Sequence, residues 1–124
     1  MDPLLAAAIA AREHACAKYS NFRVGAAIEL EDGRIVTGCN VENASYGLGL
    51  CAECGLVSSL MASGGGRLVA FVAVHAEGYV LAPCGRCRQL LLEHGGKQLL
   101  VKGVGGIKTL DDILPDSFGP DDLH

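Results

Sequence analysis

Two short cysteine groups stand where predicted helices begin. They are Cys51-Ala52-Glu53-Cys54 and Cys84-Gly85-Arg86-Cys87, and each is followed by an apolar helical pattern. A helix N-terminus carries about +0.5 of a charge, which lowers the pKa of a cysteine placed there and favours the metal-binding thiolate. Because Cys84 and Cys87 are three residues apart, both sulfurs can reach one ion from a single helical turn. The sequence therefore predicts a metal site at these two helix starts.

The cysteines allow two kinds of metal site. Four cysteine ligands would make a closed structural site, whereas three would leave a fourth position open to water, as in catalytic zinc sites. Two features favour the open site. Both cysteine groups begin apolar helices rather than hairpin knuckles, and Glu53 lies between candidate ligands. A carboxylate at that position can exchange protons with a zinc-bound water, which a structural site does not need.

The order of the predicted elements indicates a mixed sheet flanked by helices. The first helix is predicted from Pro3 to about Lys18, and a hairpin turn is predicted at Asp32-Gly33. The two cysteine helices alternate with short apolar runs typical of buried strands. The predicted strands are 22–30, 35–41, 68–74, 99–102 and 107–110. We therefore expect an α/β protein with three layers, α/β/α, and a mixed sheet of about five strands.

Composition excludes several classes of protein. The chain has 124 residues, enough for one core and not for two. Half of the residues are hydrophobic and 19% are charged, which excludes intrinsic disorder. The formal net charge of −4 makes the chain a poor ligand for long nucleic acids. No signal peptide or membrane span is visible, so we expect a cytoplasmic protein with reduced thiols and no membrane partner.

The two cysteine segments carry a family resemblance. Cys51-Ala52-Glu53 together with Pro83-Cys84-Gly85-Arg86-Cys87-Arg88-Gln89 resembles the zinc-dependent nucleoside deaminases, and specifically the small homotetrameric cytidine deaminases. Residues 19–27, 38–47 and 114–118 are also similar to family segments. The resemblance covers nearly the whole chain in order. It implies a single cytidine deaminase-like catalytic domain over residues 1–124.

The resemblance also implies a reaction and a cofactor. The reaction is the hydrolytic deamination of cytidine and deoxycytidine to uridine and deoxyuridine plus ammonia, a step of pyrimidine salvage. One Zn²⁺ per chain would be held by Cys51, Cys84 and Cys87. Hydroxide formed from the zinc-bound water would add to C4 of the base, with Glu53 as the proton shuttle.

The resemblance assigns the substrate contacts as well. Asn40 and Glu42, which share one face of a predicted strand, would bind the sugar. Phe22 would pack against the pyrimidine ring, and the backbone of Ala52 would read the carbonyl of the base. Two more residues, which would complete the site of a neighbouring subunit in a homotetramer, are Tyr46 and Phe118.

One position departs from the family pattern. Similar enzymes usually place an arginine directly after the catalytic glutamate, where this chain has Cys54. Three thiolates and a Zn²⁺ ion carry a net negative charge that something must offset. We predict that Arg86, which lies beside two of the candidate ligands, supplies the missing cation together with the two helix dipoles.

Two other functions remain open from the sequence. A related enzyme could act on another aminated base, such as a blasticidin-type aminonucleoside. The non-enzyme alternative is a structural zinc module in which all four cysteines bind the metal. Glu53 separates the structural module from either enzyme, because only an enzyme would depend on its carboxylate.

Overall fold

One mixed sheet runs through the computed structural model, which describes residues 2–75 and 79–123. The strands are β1 (Gly25–Leu30), β2 (Ile35–Cys39), β3 (Leu68–Val74), β4 (Val80–Leu81), β5 (Leu100–Gly103) and β6 (Gly106–Thr109). Their order is β2-β1-β3-β5-β6, with β4 also paired to β3. Only the β3–β5 pair is parallel among these strands. The predicted mixed sheet is confirmed, and the two-residue β4 raises the strand number from about five to six.

Helices cover both faces of this sheet. They are α1 (Pro3–Arg12), α2 (Ala52–Ala62), α3 (Gly85–Gly95) and the short α4 (Leu110–Ile113). Strand β3 shows the layering, because Val72 packs with Leu4 and Ala8 of α1 while Phe71 packs with the buried leucines of α2 and α3. The alternation of side chains along a strand thus gives the three layers that the sequence predicts. Among the described residues, no helix has the length and apolar character needed to cross a membrane.

The β1–β2 hairpin closes where the sequence predicts. Gly33 has a φ of +92°, a conformation that suits glycine, and its N–H donates to the carbonyl of Leu30 at 2.9 Å. The side chain of Asp32 accepts a hydrogen bond from the Arg34 N–H at 3.1 Å. The turn therefore has the chemistry that the Asp-Gly pair indicates.

The segment between α1 and β1 differs from the prediction. Helix α1 ends at Arg12 rather than near Lys18, and β1 begins at Gly25 rather than at residue 22. The chain leaves the helix because the Cys16 N–H donates to the carbonyl of Asn40 at 3.0 Å. In return, the carbonyl of Cys16 accepts from the Glu42 N–H at 2.8 Å. These long-range hydrogen bonds replace the next helical turns, and no local sequence pattern predicts them.

Strand register brings the ends of three strands, β1, β2 and β3, together at one edge of the sheet. Gly25 pairs with both Cys39, the last residue of β2, and Val74, the last residue of β3. Val74 in turn pairs with Val80 of β4. The loop before α2 leaves from the end of β2, and the loop before α3 leaves from the end of β4. Both helices therefore begin at this same edge.

Candidate metal centre and active site

Three cysteine thiols form a cluster at the starts of α2 and α3. The sulfurs of Cys51, Cys84 and Cys87 all lie within 4.8 Å of one another. Cys51 is the N-cap of α2 and Cys84 is the N-cap of α3. Both helices therefore direct their positive ends at the sulfurs. The structure confirms that a helix starts at each of the two cysteine groups. It also brings three of the cysteines into one cluster.

The surroundings of the three thiols affect their protonation differently. Burial raises the pKa of the Cys51 thiol. Burial also acts to raise the pKa of Cys84, but hydrogen bonds from the backbone N–H and the thiol of Cys87 outweigh it and leave that pKa lowered. Burial and a hydrogen bond to Glu53 strongly raise the pKa of Cys87. Of these three thiols, Cys84 is therefore the most easily ionised. When all three are thiolates, their negative charges need a bound cation to offset them.

Glu53 is the buried carboxylate of this site. Its exposed fraction is 5%, and among the described residues it is the only charged side chain in the buried class. The carboxylate accepts a hydrogen bond from the Cys87 thiol. An ion bound by the thiolates would therefore have a proton-accepting group beside it, in the first turn of α2. Among the described residues no cationic side chain pairs with Glu53, so its carboxylate is free to act as a proton-transfer group.

A small cavity opens beside the thiols. It has a volume of about 190 Å³. Its lining residues are Val24, Asn40, Cys51, Ala52, Glu53, Ala73, Leu81, Ala82 and Cys84. The cavity brings two thiols, the buried carboxylate and a side-chain amide to one surface, while most of the remaining lining is apolar. A ring-sized polar ligand could therefore reach the cluster from this side.

Cys54 lies outside the cluster of thiols. Its side chain is partly buried and lines the groove between α2 and α3, as does the exposed side chain of Arg86. Cys54 follows the N-cap of α2 by three residues, the same spacing at which Cys87 follows the N-cap of α3, so the packing of the two helices and not the spacing alone separates the two thiols. The three-thiol cluster is the arrangement that leaves a coordination position open. Within the described residues, the guanidinium of Arg86 makes no hydrogen bond or ion pair, while its backbone belongs to α3.

The two predicted sugar-binding residues lie beyond the end of β2. Strand β2 stops at Cys39, so the prediction that Asn40 and Glu42 belong to the strand is wrong. The cause is the bridging of residue 41 to Cys16 and Leu50, which turns the chain away from β1. Asn40 lines the cavity of the thiol cluster. Glu42 lines a separate cavity of about 320 Å³ together with Tyr19, Ser20, Asn43 and Gly49.

Both residues make hydrogen bonds to the segment before β1. The side-chain amide of Asn40 donates to the carbonyl of Phe22 and its oxygen accepts from the Val24 N–H, each at 2.9 Å. The carboxylate of Glu42 accepts hydrogen bonds from the backbone of Tyr19 and Ser20. Hydrogen bonds from the hydroxyl and N–H of Ser20 lower the pKa of Glu42, so this carboxyl stays ionised to a lower pH than usual.

Phe22 stacks on His75, at the end of β3. The ring centroids are 5.2 Å apart and the planes meet at 13°, while the Phe22 side chain remains 45% exposed. The Arg12 guanidinium donates to the carbonyl of His75 at 2.8 Å, which ties this position to α1. Sequence reasoning gave His75 no part in the site, since its spacing to the other histidines fits no ligand pattern. Only the fold brings the two rings together.

Phe118 and Tyr46 are the two residues predicted to complete the site of a neighbouring subunit. Phe118 is 62% exposed, and its carbonyl accepts a hydrogen bond from the side chain of Gln89 at 2.7 Å. The phenyl ring of Phe118 therefore projects from the surface of the chain. The side chain of Tyr46 lies outside the described part of the structure.

Comparison with known proteins identifies the family. Residues 2–102 match the family described as the cytidine and deoxycytidylate deaminase zinc-binding region. The chain belongs to this deaminase family. The matched residues include the three clustered cysteines, Glu53 and the residues that surround the 190 Å³ cavity.

Individual relatives agree with the family assignment. A cytidine deaminase of Mycobacterium tuberculosis is 61% identical over 105 residues, which are 85% of this chain and 79% of the relative. A cytidine deaminase of Halalkalibacterium halodurans is 38% identical over 126 residues, covering 98% of this chain and 96% of the relative. The crystal structure of cytidine deaminase from Mycobacterium leprae superposes with a TM-score of 0.91 at 56% identity, covering 93% of this chain and 97% of that one. The fold of this deaminase is therefore that of solved cytidine deaminases.

Proposed function

We propose that this protein hydrolyses cytidine and deoxycytidine to uridine and deoxyuridine, with release of ammonia. The observation that supports this most strongly is the cluster of Cys51, Cys84 and Cys87 beside a cavity that also contains the buried carboxylate of Glu53. The relatives named as cytidine deaminases support the choice of base and sugar. This reaction places the enzyme in pyrimidine salvage.

The donor set fits a zinc ion, one per chain. Three thiolate sulfurs are soft ligands of the kind that zinc binds, and the family match is to a zinc-binding region. The cavity beside the sulfurs gives the substrate access to the site. When bound, zinc would supply Lewis acidity that makes a water molecule ionise near neutral pH.

Glu53 carries the proton transfers. Its carboxylate accepts a proton from the attacking water and delivers one to N3 of the pyrimidine ring, which makes C4 more electrophilic. After the addition at C4, the same carboxylate takes the proton of the new C4 hydroxyl and passes it to the departing amine, so that the C4–N bond breaks, ammonia leaves and the C4 carbonyl forms. Burial of Glu53 inside the first turn of α2 holds the carboxylate at one place throughout these steps. One residue therefore serves as base and then as acid.

The substrate would be oriented by groups on three segments. Asn40 and Glu42 bind the hydroxyls of the sugar, and Phe22 contacts the face of the pyrimidine ring. The N–H of Ala52, in the first turn of α2 where no intrahelical acceptor exists, donates to the carbonyl of the base. The exposure of Phe118 suits a homotetramer in which Phe118 and Tyr46 complete the site of a neighbouring subunit.

We further propose that Arg86 offsets the negative charge of the thiolate centre. Arg86 lies in the chain between Cys84 and Cys87, in the first turn of α3.

The catalytic unit comprises residues 1–124. Because thiolate ligands require reduced cysteines, we place the enzyme in the cytoplasm.

The deciding experiment is ammonia release by the zinc-loaded protein. Cytidine, free cytosine and blasticidin S are supplied in parallel, with zinc content measured on the same sample. Release from cytidine alone supports the proposal. Release of ammonia from blasticidin S alone would instead identify an aminonucleoside deaminase of that type. No release from any of the three substrates, with zinc bound, would favour a structural metal module.

A further inference from the structure

A tight turn before β1 carries the phenyl ring of Phe22. Within this turn Asn21 has a φ of +57°, a left-handed conformation that is uncommon for residues other than glycine and best tolerated by asparagine and aspartate. The Asn21 N–H donates to the carbonyl of Ala17 at 2.8 Å. The direction in which Phe22 leaves the turn therefore depends on how firmly the surrounding hydrogen bonds hold this backbone.

Ser20 connects the turn to Glu42. The Ser20 hydroxyl donates to Oε2 of Glu42, and the Oγ of Ser20 in turn accepts a hydrogen bond from the Phe22 N–H at 3.0 Å. The other carboxylate oxygen, Oε1, accepts from the N–H groups of Tyr19 at 2.9 Å and Ser20 at 3.0 Å. One hydroxyl thus joins the carboxylate to the backbone of the residue that carries the phenyl ring.

Asn40 holds the same turn from its other side. Its side-chain N–H donates to the Phe22 carbonyl at 2.9 Å, so both backbone polar groups of Phe22 are bonded within this network. Its side-chain oxygen accepts from the Val24 N–H at 2.9 Å. The two residues that we propose to bind the sugar therefore also determine where the ring that contacts the base can lie.

We propose that Ser20 is a positioning residue, which couples the carboxylate that binds the sugar to the phenyl ring that packs on the base. The inference rests on the proposed function. Hydrogen bonds to a charged group are stronger than neutral ones, and the Ser20 hydroxyl is a bridge that a single substitution removes. Ser20 itself is exposed, so its loss leaves the core intact.

The test compares Ser20→Ala with Ser20→Thr, which keeps the hydroxyl. Loss of a hydrogen bond to a carboxylate predicts that Ser20→Ala raises the KM for cytidine about tenfold. Since the reacting groups are untouched, kcat should stay within about twofold. Ser20→Thr should restore the KM. Ser59→Ala, which removes an exposed hydroxyl on α2 outside this network, is the matched control.

A second substrate separates the two ends of the bridge. 2′,3′-Dideoxycytidine lacks the vicinal hydroxyls that Glu42 would bind, but it keeps the base that Phe22 would contact. If Ser20 also positions Phe22, its loss raises the KM for this analogue too. An unchanged KM for both nucleosides, or a rise for cytidine alone, would overturn the coupling.

Hydrogen exchange tests the bridge without any turnover. The amide of Phe22 should exchange faster in Ser20→Ala than in the wild type or in Ser59→Ala, because its acceptor is gone. Unchanged exchange would refute the positioning role even in an active enzyme. An inactive wild type with zinc bound would refute the proposed function and leave this structural result standing on its own.

Discussion

Gly38 of β2 lies directly against the backbone of Ala52 at the start of α2. A Cβ atom at position 38 would come within 2.4 Å of the Ala52 carbonyl oxygen and 2.6 Å of the backbone nitrogen of Leu56. These are backbone atoms, which cannot move aside as a flexible side chain could. The absence of a side chain at Gly38 therefore sets how closely the helix carrying Cys51 and Glu53 packs on the sheet.

We expect Gly38→Ala to displace the first turn of α2. Overpacking of this kind costs about 1–3 kcal/mol of unfolding free energy, and here it would also move one thiol relative to the other two. Thermal denaturation and zinc content report the two effects. Gly55→Ala is the control on the same helix, because a Cβ there meets only the Cys39 carbonyl oxygen at 3.7 Å. That variant should be as stable as the wild type or about 0.5–1 kcal/mol more stable.

Replacing Glu53 by glutamine should separate metal binding from turnover. The amide cannot carry protons, and general acid–base groups contribute about 10²- to 10⁴-fold, so kcat for cytidine should fall by at least that factor. Zinc content should be unchanged, since no sulfur is altered. Glu31→Gln, at an exposed position in the β1–β2 turn, is the control. Full activity of Glu53→Gln would disprove the assigned role.

The cysteines can be ranked by their effect on zinc. Cys87→Ser removes a member of the cluster and should abolish stable zinc binding, whereas Cys54→Ser alters the groove between α2 and α3 and should keep it. Elemental analysis after desalting gives the zinc content of each variant. Cys16→Ser, which changes a free thiol outside the cluster, controls for handling. Loss of zinc from the Cys54→Ser variant would instead support the hypothesis that all four cysteines bind the metal.

The Glu42 carboxyl should titrate below its ordinary range. Hydrogen bonds from Ser20 favour the ionised form in the folded protein, so the folded pKa lies below the unfolded one. The resulting stabilisation is present at pH values above the unfolded pKa and is lost as the pH falls through the folded pKa. An NMR titration of the side-chain carboxyl should show its midpoint rising in Ser20→Ala. An identical midpoint in both proteins would argue against the hydrogen bonds as the cause.

Sequence reasoning succeeded where the signal lies within a few residues. Cys51 and Cys84 could be placed at helix starts because loop, cap and apolar helical pattern follow one another directly in the chain. The Asp32-Gly33 turn was predictable for the same reason. The layer order also followed, since the buried β3 and the helical patterns on either side of it leave few ways to cover the sheet.

The rest depended on contacts between distant parts of the chain. The early end of α1 and the departure of residues 40–42 from β2 arise from backbone hydrogen bonds between Cys16 and that segment. The stacking of Phe22 on His75 likewise joins two chain positions that have no common pattern. The positioning of Arg86 in the groove beside Cys54 follows from the close packing of α2 and α3. None of these pairings has a periodicity that a single sequence could reveal.

The separation of the clustered thiols along the chain has a consequence for the unfolded protein. Cys84 and Cys87 remain neighbours in any conformation, whereas Cys51 joins them only when the sheet is formed. The neighbouring pair can therefore retain some zinc in the denatured ensemble, and affinity for that ensemble subtracts from the stabilisation that zinc confers on the native state. Raising the zinc concentration should accordingly shift the unfolding midpoint by less than the affinity of the folded site alone would predict.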